Sequence, residues 1–190
     1  MRKIWRSWTP WTGLLLSSLG LAEAAETGLH AIEVTPETAP SDPDPVLKTL
    51  QAWSGIAEAS WDAEAGIFKA AVEDSARIDP RAVRDGLGLP VQSVLLEFAT
   101  ARGEIDRGNG YLVCPENGVR YWILSTPKTW YLWDFLGRNP WGPNVPLRMR
   151  VEMHWGRKRP EGLAPDSVSV VTFEVNREKA GEKPPRKKPK

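Results

Sequence analysis

Residues 30 to 96 carry a periodicity that few folds can accommodate. Strand-like alternation and helix-like spacing follow one another in the order strand, helix, strand, strand, helix, strand. Each of the two predicted helices begins with an Asp-Pro pair, Asp44 with Pro45 and Asp79 with Pro80. The Asp side chain can accept a hydrogen bond from a free N–H group of the first helical turn. Pro suits the first helical position because the N–H group that it lacks would have no partner there. Two helices on one face of an antiparallel sheet form a core, so this segment predicts a small α+β unit.

The apolar residues of both helices repeat at the spacing of one helix face. Gly55 is expected to end the first helix as a residue of positive φ. An alternating run then predicts a β-hairpin whose turn ends at Gly66. Its faces are expected to carry Ile56, Glu58 and Ser60 on one side and Ala57, Ala59 and Trp61 on the other, and the helix stripes are Val46, Leu47, Leu50 and Trp53, then Val83 and Leu87.

Three segments resemble parts of a heavy-metal-associated domain: residues 47–72 its first helix and hairpin, 78–87 its second helix, and 91–94 its last strand. The resemblance implies a ferredoxin-like βαββαβ domain at residues 28–93. In that family a Met-x-Cys-x-x-Cys loop before the first helix binds a soft cation. The corresponding loop here, residues 35–44, contains no sulfur. We therefore expect the fold without the metal site of the family.

The second half of the chain predicts five strands with a helix between the third and the fourth, which is the order of an OB barrel. The helix is expected to run from a Thr129 cap to Gly137. Residues 94–176 also resemble the small OB-type domains of envelope copper-resistance lipoproteins, through Tyr111-Leu-Val-Cys114 and Gly118-Val-Arg-Tyr121. An open sheet packed on the first unit is the alternative. The predicted class is thus α+β: a ferredoxin-like βαββαβ domain followed by a small OB-like β-barrel.

The first residues have the form of a secretory signal peptide. Basic residues precede an apolar run at 14–21, and Ala22-Glu-Ala24 resembles a signal peptidase site. We expect residues 1–24 to be removed and the protein to be periplasmic or secreted. A retained anchor is the less favoured alternative, because the apolar run is shorter than the ~20 residues of a membrane span.

Charge is distributed unevenly along the chain. Residues 26–93 contain 12 acidic and 5 basic residues, a net charge of −7, whereas residues 177–190 contain 2 acidic and 7 basic residues, a net charge of +5. This tail lacks large apolar residues and is expected to be disordered. It could also contact anionic lipid, through Arg186, Lys187, Lys188 and Lys190. With a secretory leader we expect no nucleic acid partner.

Few side chains could bind a metal. The sulfur and imidazole groups beyond the leader are Cys114, Met149, Met153, His154 and His30. Met149 and Met153 would lie ~13 Å apart on one strand, so barrel core is the alternative reading for both, and Cys114 more often fills space than binds metal. A hard cation could instead use Glu37, Asp42 and Asp44.

The sequence offers little support for catalysis. The one possible thiol–imidazole pair is Cys114 with His154, and no orienting carboxylate is indicated near it. No phosphate-binding glycine loop and no HExxH helix occurs in the chain. We expect no enzymatic activity and no cofactor.

Aromatic residues crowd into the predicted helix and the segment after it. Helical spacing places Trp130 and Trp133 on one face and Tyr131 and Phe135 on another. Both faces cannot pack inward, so an exposed aromatic patch is expected. The alternative is that residues 139–144 fold over the outer face. The predicted partner-binding residues are Trp130, Tyr131, Trp133 and Trp141.

The sequence thus favours a non-catalytic periplasmic binding or adaptor protein that contacts another envelope protein. The resemblance to heavy-metal-associated domains implies a setting in metal handling or the envelope stress response. The alternative is a Cu(I)- or Zn-binding protein that uses non-standard ligands, namely Cys114, Met149, Met153 and His154.

Overall fold

A computed structural model describes residues 28–155 and 167–180 of the chain. The predicted signal peptide and the basic residues 181–190 of the predicted tail lie outside the described residues. The described part is mixed α/β and rich in strands. None of its helices is long and apolar enough to cross a membrane. Its elements are β1 (Leu29–Pro36), α1 (Asp44–Gln51), β2 (Ile56–Asp62), β3 (Ile67–Val72), a 3-10 turn (Ser75–Arg77), α2 (Pro80–Gly86), β4 (Val91–Asp106), β5 (Asn109–Val113), β6 (Arg120–Ile123), α3 (Pro127–Arg138), β7 (Leu147–His154), β8 (Ser167–Val175) and α4 (Arg177–Ala180).

The strands form one sheet in the order β2-β3-β1-β4-β5-β6-β8-β7, and β7 pairs back with β4. That last pairing closes β4, β5, β6, β8 and β7 into a five-strand barrel, whereas β1, β3 and β2 extend the sheet beyond it. Strands β6 and β8 run parallel, and the other pairs are antiparallel. The strands of the second half therefore close on themselves, and the open sheet is not what forms.

Strand β4 belongs to both halves of the chain. It is 16 residues long, and Leu95 pairs with Glu33 of β1 on one edge and with Glu152 of β7 on the other. A bulge between Phe98 and Ala101 separates this stretch from the residues that pair with β5. The two predicted modules thus share a strand, and their buried residues form a single cluster.

The observed N-terminus of α2 agrees with the predicted one, whereas that of α1 differs from it. Asp79 caps α2 by accepting the N–H of Arg81, with Pro80 at the first helical position. In α1 the prediction that Asp44 is the cap is wrong, because the helix already includes Asp44 and the side chain of Asp42 accepts its N–H at 3.1 Å. The buried residues Val46, Leu50, Val83 and Leu87 lie in the core as predicted.

The end of α1 also differs from the prediction. Ala52, not Gly55, lies next to the last turn, and its N–H donates to the carbonyl of Lys48. Gly55 has a φ of +95°, and its carbonyl accepts the N–H of Glu73 at 2.8 Å. This glycine therefore serves the entry into β2 and not the end of the helix.

The hairpin forms where it was predicted, but Ile56 lies on a different face of the strand from the one predicted. The register shifts between Ile56 and Glu58, so Ile56 packs against the core and does not share the exposed face of Glu58 and Ser60. Trp61 lies against Phe68 with ring centroids 4.4 Å apart. The bulge is thus what separates Ile56 from the alternation that the sequence suggests.

Helix α3 begins earlier than expected. Its cap is Thr126, whose Oγ1 accepts the N–H of Thr129 at 3.2 Å. Thr129, predicted to be the cap, is buried inside the helix and donates its hydroxyl to the carbonyl of Leu124 at 2.7 Å. Two threonines three residues apart both suit a cap, and the position of Pro127 at the first helical residue favours Thr126.

Candidate functional site

Helix α3 presents its aromatic residues in two different environments. Trp130 is 72% exposed and Tyr131 is 69% exposed, whereas Leu132 and Leu136 are buried on the opposite face. We call Trp130 and Tyr131 the α3 aromatic pair. Its members are neighbours in sequence, whereas the prediction placed Trp130 with Trp133 on one face and Tyr131 with Phe135 on another; Trp133 and Phe135 are half-buried.

Trp133 turns towards the barrel because two glycines leave room for it. A Cβ atom on Gly110 would lie 2.2 Å from Cζ2 of the Trp133 ring, and one on Gly103 would lie 3.0 Å from its Cζ3. The benzo ring of Trp133 therefore packs directly against the backbone of β4 and β5. Trp133 is half-buried as a result and is not part of the exposed patch.

Phe135 and Trp141 also pack inward. The Phe135 ring contacts Phe173 of β8 with centroids 5.5 Å apart. Trp141 is half-buried in a turn held by Asn139, which donates to the carbonyls of Leu136 and Gly142 and accepts the N–H of Trp141. This turn continues from the end of α3 and leaves the α3 aromatic pair uncovered.

Charged residues surround the α3 aromatic pair. Lys128, Asp134 and Arg138 are exposed on the same helix, and Arg138 pairs with Asp134 at 2.7 Å across one turn. An apolar centre with a charged border is the composition of many protein contact surfaces. Trp130 and Tyr131 therefore form a small exposed apolar area with charged residues at its border.

Cys114 is a buried thiol and not an exposed ligand. It is 1% exposed, and its Sγ donates to Oε2 of Glu116 at 3.2 Å. Burial, together with the Glu116 carboxylate, raises the pKa of Cys114 to about 11. The thiolate is the form that attacks substrates and binds metals, and the raised pKa disfavours this form of Cys114 at neutral pH.

The other predicted metal ligands lie in different environments. Met149 and Met153 are 3% and 2% exposed and fill the barrel core, while His154 lies on the alternate side of β7 with Nε2 2.9 Å from Oγ of Ser169. No cluster of three or more His, Cys, Asp or Glu residues suited to a metal occurs within the described ranges. Metal binding by these residues and Cys114 stays a prediction.

The predicted hard-cation loop is open to solvent. Glu37, Asp42 and Asp44 are all exposed, and one oxygen of Asp42 is already used as an acceptor for the N–H of Asp44. The loop therefore holds its own backbone, and nothing in its geometry points to a cation.

Sequence reasoning missed a charged contact across the open face of the sheet. Arg150 of β7 bonds the carboxylate of Glu33 and lies 3.2 Å from Glu97, and His30 lies 3.8 Å from the same Glu97. Arg150 and Glu33 are 117 residues apart. Arg148 and Arg150 alternate with buried residues along β7, but no local pattern in the sequence indicates their partners.

A cavity between α3 and β8 was also missed. Its volume is about 540 Å³, and its walls come from parts of the chain far apart in sequence. Its lining includes Phe135, Trp141, Arg148, Phe173 and Val175. Only the packing of α3 on β8 creates this space, so periodicity could not reveal it.

Comparison of the chain with protein-family models, with curated proteins and with solved structures gave no match. In the described part of the chain, the large apolar side chains that are exposed are Ile105, Val119, Trp130 and Tyr131. Trp130 and Tyr131 are the two that are adjacent and aromatic, which makes them the candidate site.

Proposed function

We propose that this is a non-catalytic binding protein that contacts a protein partner through the α3 aromatic pair. The observation that carries the proposal is the exposure of Trp130 and Tyr131 side by side on a helix that is anchored from its other face by Thr129, Leu132 and Leu136. Exposed tryptophan and tyrosine concentrate binding energy at protein interfaces. A rigid helix presents them at little entropic cost.

The state of the thiol supports a non-catalytic function. Cys114 would need a base to become a nucleophile, but its hydrogen bond goes to Glu116 and its pKa is raised to about 11. His154, its proposed imidazole partner, instead lies beside Ser169. The positions of both residues therefore support the non-catalytic proposal.

The proposal includes a finer description of the fold. The antiparallel order β2-β3-β1-β4, with a helix in each crossover, supports a ferredoxin-like βαββαβ unit. The barrel order β4-β5-β6-β8-β7, with β6 parallel to β8 and α3 between β6 and β7, supports an OB-like unit. An envelope setting, with the tail near anionic lipid and an envelope protein as partner, rests on residues 1–24 and on the basic tail.

Site-specific photo-crosslinking tests the proposed surface. A photoreactive phenylalanine at Tyr131 should yield one discrete protein adduct in cells that express the full chain, and Trp130→Ala should abolish it. The matched control places the same residue at Ile105, which is 65% exposed on another surface. Identical adducts from positions 131 and 105, or none from 131, would contradict the proposal.

Stability separates this surface from the core. Trp130→Ala should change the free energy of unfolding by no more than ~0.5 kcal/mol, as surface substitutions do, whereas Trp133→Ala should cost about 3 kcal/mol by removing a packed aromatic ring. Urea unfolding of both variants measures the difference. Equal and large losses would show that the pair belongs to the core, and the proposed function would lose its main support.

A further inference from the structure

Strand β8 has an edge that no other described strand occupies along its second half. Val168 still pairs with β6, and its carbonyl accepts the N–H of Leu124 at 2.8 Å. Beyond that point β8 continues to Val175 with β7 as its neighbour on one edge. The other edge faces the cavity between α3 and β8.

The register shows which backbone groups point into that space. The N–H of Asn176 donates to the carbonyl of Pro146 at 2.9 Å, so Val175 and Leu147 form a pair without hydrogen bonds between them. The N–H and C=O groups of Phe173 and Val175 therefore point away from β7. They have no hydrogen-bond partner among the described residues, and they repeat at the two-residue spacing of a strand.

These groups line the cavity of about 540 Å³, which lies within the range of ligand clefts, about 300–1,000 Å³. Phe135 and Trp141 also line the cavity, and the indole N–H of Trp141 is buried without an acceptor among the described residues. Arg148 and Glu178 pair at 3.2 Å beside the cavity. Glu174 and Arg177 add one further charge of each sign, so the lining carries no net charge.

We propose that this cavity binds a short extended peptide segment of a partner protein, which adds to the free edge of β8 as a strand. The alternating donors and acceptors of Phe173 and Val175 match the backbone of an extended chain. Apolar side chains at alternate positions of the peptide would face Phe135 and Trp141, and the neutral lining suits an uncharged segment. Neither Trp130 nor Tyr131 of the α3 aromatic pair lines the cavity, so this site does not depend on the pair.

Amide hydrogen exchange tests the free edge first. In the full chain, the amides of Thr172 and Glu174 should be protected by their bonds to β7, while those of Phe173 and Val175 should exchange rapidly. Equal protection of all four amides would mean that the edge is already occupied, and this would overturn the proposal.

Peptide binding tests the occupant. Random peptides displayed on phage are selected against the full chain, and the recovered peptide then serves as the probe. It should protect the amides of Phe173 and Val175. Val175→Pro should weaken its binding about tenfold through loss of one backbone hydrogen bond. The N–H of Val175 is not used by β7, so proline is tolerated there.

A second variant and a control make the test independent of any disturbance in β8. Trp141→Leu changes a lining residue outside β8 and should also weaken binding of the peptide, whereas Ile105→Ala and Trp130→Ala should leave its affinity unchanged. Failure to recover a peptide, or equal binding to all variants, would overturn the proposal. So would maltopentaose or chitotetraose shifting the Trp141 indole resonance without protecting the two amides, which would make the cavity a saccharide site.

Discussion

At the scale of single residues, the position of one indole depends on the absence of two side chains. A Cβ atom on Gly110 would overlap the Trp133 ring at 2.2 Å, and one on Gly103 would lie 2.5 Å from Cδ1 of Leu136 and 3.0 Å from the Trp133 ring. Neither glycine has a positive φ, so backbone conformation does not require them. They are needed because the helix approaches the strands closely.

We predict that Gly110→Ala lowers the free energy of unfolding by about 1–3 kcal/mol, because the new methyl group would overlap the Trp133 ring. Urea unfolding measures the loss, and Trp133→Leu in the same chain should recover part of it. Gly137→Ala is the matched control, since nothing lies near its Cβ position and alanine favours the helix. A loss of the same size in Gly137→Ala would contradict the steric explanation.

The thiol of Cys114 makes the free energy of unfolding depend on pH in the alkaline range. Its pKa rises from an ordinary value of 9.0 to about 11 in the folded chain, so between these pH values the unfolded thiol is ionised and the folded one is not. The unfolded state then binds fewer protons, and the folded chain loses up to about 1.4 kcal/mol of stability per pH unit across this window.

Unfolding free energies of the wild type and Cys114→Ala, compared from pH 8 to pH 11, check this prediction. The difference between the two proteins should be constant below pH 9 and should shrink above it. A constant difference across the whole range would show that the thiol titrates normally.

At the scale of elements, α3 depends on its first turn. Thr126 accepts the N–H of Thr129, and Thr129 in turn bonds the carbonyl of Leu124, so the cap fastens the helix to the end of β6. The turn formed by Asn139 fixes the other end. Both the α3 aromatic pair and the wall of the cavity are thereby held in place.

We expect Thr126→Ala to cost about 1 kcal/mol, as the loss of a helix cap usually does. Thermal unfolding followed by circular dichroism measures it, and Lys128→Ala, an exposed change in the same turn, serves as the control. If Thr126→Ala and the control are equally stable, the cap contributes nothing.

At the scale of the whole molecule, β4 joins what the sequence divides into residues 28–93 and 94–176. Leu95 and Phe98 have β1 on one edge and β7 on the other. Hydrogen bonds and packing on both sides must break before this part of β4 can unfold. We therefore expect a single cooperative transition.

Leu50→Asp tests this expectation, since Leu50 is completely buried and a charge there is strongly destabilising. Hydrogen exchange followed by mass spectrometry should show that residues 46–87 and 110–124 lose protection together. Loss in the first range alone would instead establish two separate domains.

The sequence by itself determined where most helices and strands lie, because Asp-Pro starts, apolar stripes and alternation act over a few residues, as in α2. Residues 177–180, predicted as part of a disordered tail, instead form α4. The position of β4 and the five strands of the barrel were also visible as patterns. Tertiary structure decided which side of α3 meets the barrel, because its aromatics could pack on several faces and only the space over Gly103 and Gly110 selects Trp133. It also decided the pairing of Arg150 with Glu33 and the cavity beside β8, since contacts between distant segments leave no trace in local periodicity.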